Sequence, residues 1–214
     1  MPKFSIDTSS QREVNPPYQT PANEKLTGTV YTKNDIIEPP LITYYARVID
    51  NLSGVYITEY KNAMDNEITW YYGQVYKDTG ESQYIVQYDI WNNEPAFNQR
   101  FYDKHCRDAK NIKFGLAFYS KKDYPNDEEY EISKNLQTMP FMYARIYNED
   151  YQSEWQPITN RKKIDLISNT TNDKGILYGT SDHCIVQTKI ILNEPNDLNP
   201  TRYYFYTTID YNFD

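Results

Sequence analysis

The residues able to do chemistry are few and oddly placed. The chain's only two histidines each precede one of its only two cysteines, as His105-Cys106 and His183-Cys184. Two imidazoles and two thiolates are the donor set of a tetrahedral zinc centre. The spacing matches none of the short zinc loops, and adjacent side chains on a strand leave on opposite faces, so His183 and Cys184 are not expected to reach one ion. A Cys106–Cys184 disulfide is the competing possibility. The expectation taken forward is two buried thiols, with no metal and no cofactor.

Other constellations are weaker. Ser181-Asp182-His183 has the residue types of a hydrolytic triad in consecutive positions, yet a triad is gathered from distant segments and no G-x-S-x-G elbow is present. The stretch from Asp123 to Glu131 concentrates carboxylates without the ligand spacing or glycine of a calcium loop, and reads as a solvated acidic turn. Arg161-Lys162-Lys163 is the only compact basic cluster and reads as a surface turn. No glycine-rich phosphate loop occurs. With 30 Asp and Glu residues, some close pair of carboxylates is guaranteed and carries no information about glycoside cleavage. No catalytic residue is assigned, and the chain is expected not to be an enzyme.

The elements that must position any site read as strands. From Leu26 onward apolar residues recur with period two, which sends alternate side chains to opposite faces of a sheet. Ile112, Phe114, Leu116 and Phe118 alternate with Lys113, Gly115, Ala117 and Tyr119. Tyr84, Val86, Tyr88 and Ile90 alternate with Ile85, Gln87, Asp89 and Trp91. In the last segment Tyr203, Phe205, Ile209, Tyr211 and Phe213 share a face. Further strands are expected over 41–50, 54–60, 67–76, 140–147 and 183–192. Hairpin turns are expected at Lys77–Glu81 and Asn172–Gly175, where Gly80 and Gly175 supply the left-handed residue. One short helix is expected around 99–109.

Many short strands with few helices predict an all-β fold, an antiparallel β-sandwich or jelly-roll-like domain over 26–214. Residues 1–25 are polar, contain Pro2, Pro16, Pro17 and Pro21, and are expected to form an extended arm that reaches a neighbouring subunit. The net charge of -8 argues against nucleic acid as a partner. No apolar run is long enough for a membrane span or a secretory signal, so no membrane partner is expected and two N-glycosylation patterns, at Asn51 and Asn169, carry little weight.

Of the aromatics, 23 are Tyr, whose rings bury area while their hydroxyls stay wet, a bias that suits interfaces. The interface candidates are Pro16, Pro17 and Tyr18 in the arm, and Trp70, Tyr72, Trp91, Trp155, Tyr204 and Tyr206 on strands. The expected function is that of a non-enzymatic virion structural or assembly protein, a bacteriophage capsid, collar or tail component. Its partners would be other copies of itself or other virion proteins, in the virion or the host cytoplasm. The alternative is a carbohydrate- or ligand-binding β-sandwich module that uses surface aromatics as a platform. A third reading is a hydrolase with scattered carboxylates.

Overall fold

The computed structural model describes residues 37–59, 61–62, 72–94, 105–118, 131, 141–148, 151–159, 161–192 and 205–213. The arm over 1–25 lies outside them, and so do Trp70, Tyr204 and all of the acidic stretch except Glu131. The described residues are mostly strands in antiparallel sheets. In chain order these are β1 (Ile37–Glu38), β2 (Ile42–Asp50), β3 (Lys61–Asn62), β4 (Tyr84–Asn92), β5 (His105–Cys106), β6 (Ala109–Phe118), β7 (Met142–Tyr147), β8 (Gln156–Ile158), β9 (Ile164–Asp165), β10 (Ile176–Leu177), β11 (Asp182–Ile190) and β12 (Phe205–Asn212).

The larger sheet has six strands in the order β3-β2-β4-β11-β7-β8, and every neighbouring pair in it is antiparallel. In the smaller sheet β12 lies along β6, and β9 and β10 pair with β6 as well. The short pair β1 and β5 is parallel.

The period-two reading explains which faces meet. Ile42 and Ala46 from β2, Val86, Tyr88 and Ile90 from β4, Cys184 and Val186 from β11, and Met142, Ala144 and Ile146 from β7 are buried in one cluster. Ile112, Phe114 and Leu116 of β6 and Ile209 and Tyr211 of β12 belong to the same cluster. The two sheets therefore share a core, and the Tyr88 and Phe114 rings meet within it at 5.3 Å between centroids. Burial of such rings is the dominant favourable contribution to this packing. Tyr88 is fully buried, and desolvation holds its phenol well above its ordinary range.

A polar side chain closes one end of the core. Asn92 is completely buried; its Oδ1 accepts from Leu41 N at 3.0 Å, and its Nδ2 donates to Arg107 O at 3.0 Å and Leu177 O at 2.9 Å. One amide thus ties the start of β2, the turn before β6 and the strand β10 together. Gly179 makes that closeness possible, since a Cβ there would fall 1.8 Å from the carbonyl oxygen of Cys106.

Both expected hairpin turns are present. Val75 pairs with Ser82 across the first, where Gly80 sits at φ 69° and its N donates to Tyr76 O. Across the second Ile167 pairs with Lys174, which sets the turn at 168–173, earlier than expected; its left-handed residue is Asn172 at φ 63°, while Gly175 lies in the returning leg, its N donating to Leu166 O.

Three expectations need correction. Neither 54–59, the described part of the expected strand 54–60, nor 72–76, the described part of the expected strand 67–76, is a strand; each contributes only a bridge, Tyr56 to Ile49 and Val75 to Ser82. The described part of the expected 99–109 helix is extended, with β5 at 105–106 and β6 beginning at Ala109. Within β6 a bulge sets the three-residue spacing of buried Ala109 and Ile112. Asn111 takes φ 50°, and Lys113 and Lys110 face Asp210 and Asn212, so one strand carries an extra residue there.

Candidate functional site

The face of the larger sheet turned away from the core carries an unusual row of polar side chains. Arg47, Gln87, Gln187 and Arg145 stand opposite one another on β2, β4, β11 and β7. Arginine can only donate, and this fixes the direction of the row. Arg145 Nε donates to Gln187 Oε1 at 2.9 Å, and Gln187 Nε2 donates to Gln87 Oε1 at 2.7 Å. The Gln87 amide nitrogen is therefore turned away from Gln187, to the side where Arg47 stands. Burial lowers the pKa of the Arg145 guanidinium from its ordinary value, against the opposing pull of Tyr147 and Glu154.

Four residues along β11 from this row, His183 Nδ1 lies 2.8 Å from Asp89 Oδ1. An ionised carboxylate can only accept, so Nδ1 carries the proton and Nε2 is the end turned to Asn169, whose Nδ2 lies 3.4 Å away. The His183 ring stacks on Trp91, centroids 4.1 Å apart and planes 20° apart. Asn169 Oδ1 is buried with no hydrogen-bond partner among the described atoms.

Above Arg47 and His183 lies a cleft of about 760 Å3. Amides line it through Gln87, Asn148, Asn169 and Asn172, and phenols through Tyr56, Tyr147 and Tyr151. The Arg47 guanidinium lies 3.6 Å from the centroid of the Tyr56 ring, a cation–π contact that orients it.

The sequence candidates divide as follows. His183 is half-buried on the outer face while Cys184 is wholly buried in the core, so the dipeptide does not converge on one ion. Among the described residues no group of three His, Cys, Asp or Glu is placed to hold a metal. Cys106 and Cys184 are buried thiols and not a disulfide. Burial pushes Cys184 up to about 12, which leaves it a poor nucleophile. Ser181-Asp182-His183 is no triad: the Asp182 carboxylate is occupied by Ser168 Oγ and the backbone nitrogens of Tyr178 and His183, and the imidazole takes Asp89. Arg161 and Lys162 lie on an exposed turn whose backbone nitrogens donate to Thr159 Oγ1, and Lys163 pairs with Asp210.

Of the interface candidates, Trp91 is stacked on His183, and Trp155 has Arg145 and Lys189 each 4.5 Å from its ring centroid. Tyr206 is exposed on β12. Tyr72 corrects the expectation of an exposed ring. It is buried in the core, its hydroxyl 2.8 Å from Thr188 Oγ1, and desolvation raises it to about 12.

Sequence reasoning missed Arg47, Asp89 and the glutamine row. The available signal was a glutamine or arginine at the centre of an apolar strand, as in YIVQYDI and IVQTKI, since such a residue needs a partner on the next strand.

Comparison with known proteins finds no matching family model, no matching curated protein and no matching solved structure. Among the described residues no helix is long and apolar enough to cross a membrane.

Proposed function

We propose that this chain is a non-enzymatic structural or assembly protein acting through protein–protein interfaces, as a capsid, collar or tail component of a bacteriophage particle does. On this reading the two sheets with their common core are the layers of a β-sandwich, of jelly-roll type or close to it. The partners are further copies of the chain or other virion proteins, met in the host cytoplasm and retained in the virion.

One observation carries the reading. The turn after β2 exposes four large apolar side chains within six residues: Leu52 is 72% exposed, Val55 58%, Tyr56 53% and Ile57 52%. A concentration of that kind marks an interaction surface. The turn is also held in shape. Asp50 Oδ1 accepts from Ser53 N at 2.8 Å and Ser53 Oγ at 2.7 Å. Gly54 N donates to Asp50 O, Asp50 N to Val55 O and Ile57 N to Val48 O, each at 2.8 Å. Apolar side chains on a preorganised turn lose little entropy on docking, which favours association.

Light-scattering mass across a dilution series tests the reading, on the full chain and on a version lacking residues 1–25. Concentration-dependent oligomers that the truncation weakens support assembly through the arm and these surfaces. A monomer in both forms at every concentration contradicts self-assembly. The cleft over Arg47 and His183 favours a second reading, a carbohydrate- or ligand-binding module, which calls for small-ligand affinity in the monomer.

A further inference from the structure

The cleft above the larger sheet is a trough with tyrosine walls. Its floor runs from β2 across β4 and β11 to β7, and inter-strand spacings of about 4.8 Å make that floor roughly 14 Å across. Such a width takes one extended chain with its side chains. The wall on the β2 side is Tyr56, and on the β7 side it is Tyr147 and Tyr151; Tyr56 and Tyr151 are half-exposed. Backbone hydrogen bonds hold both walls in shape: Ile57 N donates to Val48 O, Asn148 N to Tyr151 O and Ser153 N to Ile146 O. The turn at 168–173 brings the amides of Asn169 and Asn172 to the lining, and Ile185, opposite Tyr147 in the register, gives the floor an apolar surface.

We infer that this trough binds residues 14–22 of a neighbouring copy in the polyproline II conformation. The inference rests on the assembly reading, and it names the segment and the groove that copies exchange. The segment, VNPPYQTPA, contains Pro16, Pro17 and Pro21 and no charged residue, so the pairing is one of ring faces and hydrogen bonds, whatever the charge around the cleft. Each proline fixes its own φ and restricts the residue before it to extended backbone. The segment is therefore biased toward its bound shape and loses little entropy on docking. A polyproline II chain makes no internal hydrogen bonds, so its carbonyls need outside donors; phenol hydroxyls and asparagine amides are such donors. Proline rings packed on aromatic faces are the usual way such segments dock. Tyr56 belongs both to the trough and to the turn whose exposed Leu52, Val55 and Ile57 form the proposed contact between copies. A neighbour seated on that turn thus meets the mouth of the trough. Fully extended, the chain from Tyr18 to Ile37 spans up to about 60 Å, enough to cross from the neighbour's β1.

Photo-crosslinking of the full chain tests the pairing. A copy carrying p-benzoylphenylalanine in place of Tyr18 is mixed with a 15N-labelled copy without the probe, irradiated and digested. Crosslinks are expected from the probe to labelled peptides containing Tyr56 or Tyr151. Sedimentation velocity of full-length variants gives the second measurement. The arm variant Pro16→Ser, Pro17→Ser, Tyr18→Ser and the trough variant Tyr151→Ser are each expected to raise the concentration of half-association by about tenfold. Combining them is expected to add little, because the same contact is lost twice. The crosslink is read with the trough unaltered, so it decides the question even if Tyr151→Ser melts early.

Crosslinks confined to other surfaces, or to the probe-bearing copy itself, overturn the inference. Arm and trough variants that associate as strongly as the wild type overturn it too and leave the assembly reading in place, and so do losses that add in full, which assign arm and trough to separate contacts. A wild type that is monomeric at every concentration overturns both the inference and the assembly reading beneath it.

Discussion

Replacing Asn92 by Ala should be among the most damaging single changes in this chain. The side chain is completely buried and makes three hydrogen bonds, to the backbone of Leu41, Arg107 and Leu177. Each is worth about 1 kcal/mol net, and the buried Leu177 carbonyl left short of a donor adds part of a desolvation penalty of about 1–3 kcal/mol. The loss should therefore total about 3–4 kcal/mol, a large fraction of the stability of an ordinary domain. With a urea dependence of roughly 2 kcal/mol per molar, the unfolding midpoint should fall by about 1.5–2 M, read by tyrosine and tryptophan fluorescence. Ser53→Ala, which loses an exposed hydroxyl contact to Asp50, should move it by less than about 0.3 M, the change expected of a surface site. A midpoint for Asn92→Ala within about 0.5 M of the wild type would refute the claim that this amide holds one end of the shared core together.

Further outcomes follow from the same geometry. Gly179→Ala should cost at least about 3 kcal/mol, since its Cβ would meet a backbone oxygen that cannot swing aside; an unchanged thermal melt would contradict the contact. Burial raises the Cys184 thiol to about 12 and Cys106 is buried too, so neither should react with a thiol-specific disulfide reagent up to about pH 9 except through unfolding, and both should react at once in guanidinium.

Desolvation pushes the Glu81 carboxyl up, but hydrogen bonds from Lys189 and Asn51 outweigh it and the net shift is downward. The unfolded chain therefore binds the Glu81 proton more readily than the folded one. Its contribution is full above the ordinary value of 4.5 and is lost as pH falls through the lower folded value. Glu81→Gln should flatten the decline in urea midpoint below that pH, and a decline as steep as the wild type's would contradict the pairing.

What the sequence made legible was period and turn chemistry. The alternation in Ile112–Phe118 and in Tyr84–Trp91 located two central strands and their core faces because burial on one side of a sheet writes itself as period two. Gly80 located the first hairpin turn because few other residues tolerate its backbone conformation, whereas the second turn closes at Lys174 and takes Asn172, not Gly175, as its left-handed residue. The helix expected over 99–109 failed in its described part because His105 and Cys106 pair with β1 and Ala109 with β10, tertiary pairings that local sequence does not display.

The cleft was illegible for another reason. Arg47, Gln87, Gln187 and Arg145 come from four strands scattered along the chain, and only register brings them opposite one another. Tyr72 misled in a simpler way, because a tyrosine among tyrosines gives no sign of which ring is buried until a hydroxyl partner such as Thr188 is placed beside it.

The measurement that bears most directly on the proposed role is sedimentation velocity over a dilution series, comparing the wild-type chain with the double variant Val55→Glu, Ile57→Glu. Both positions are more than half exposed, so the folded chain should tolerate the charges and its thermal melt should stay within a few degrees. The account predicts a wild type that associates as concentration rises and a variant that remains monomeric over the same range. Equal association of the two proteins, or a wild type that sediments as a monomer throughout, would contradict an interface built on that turn.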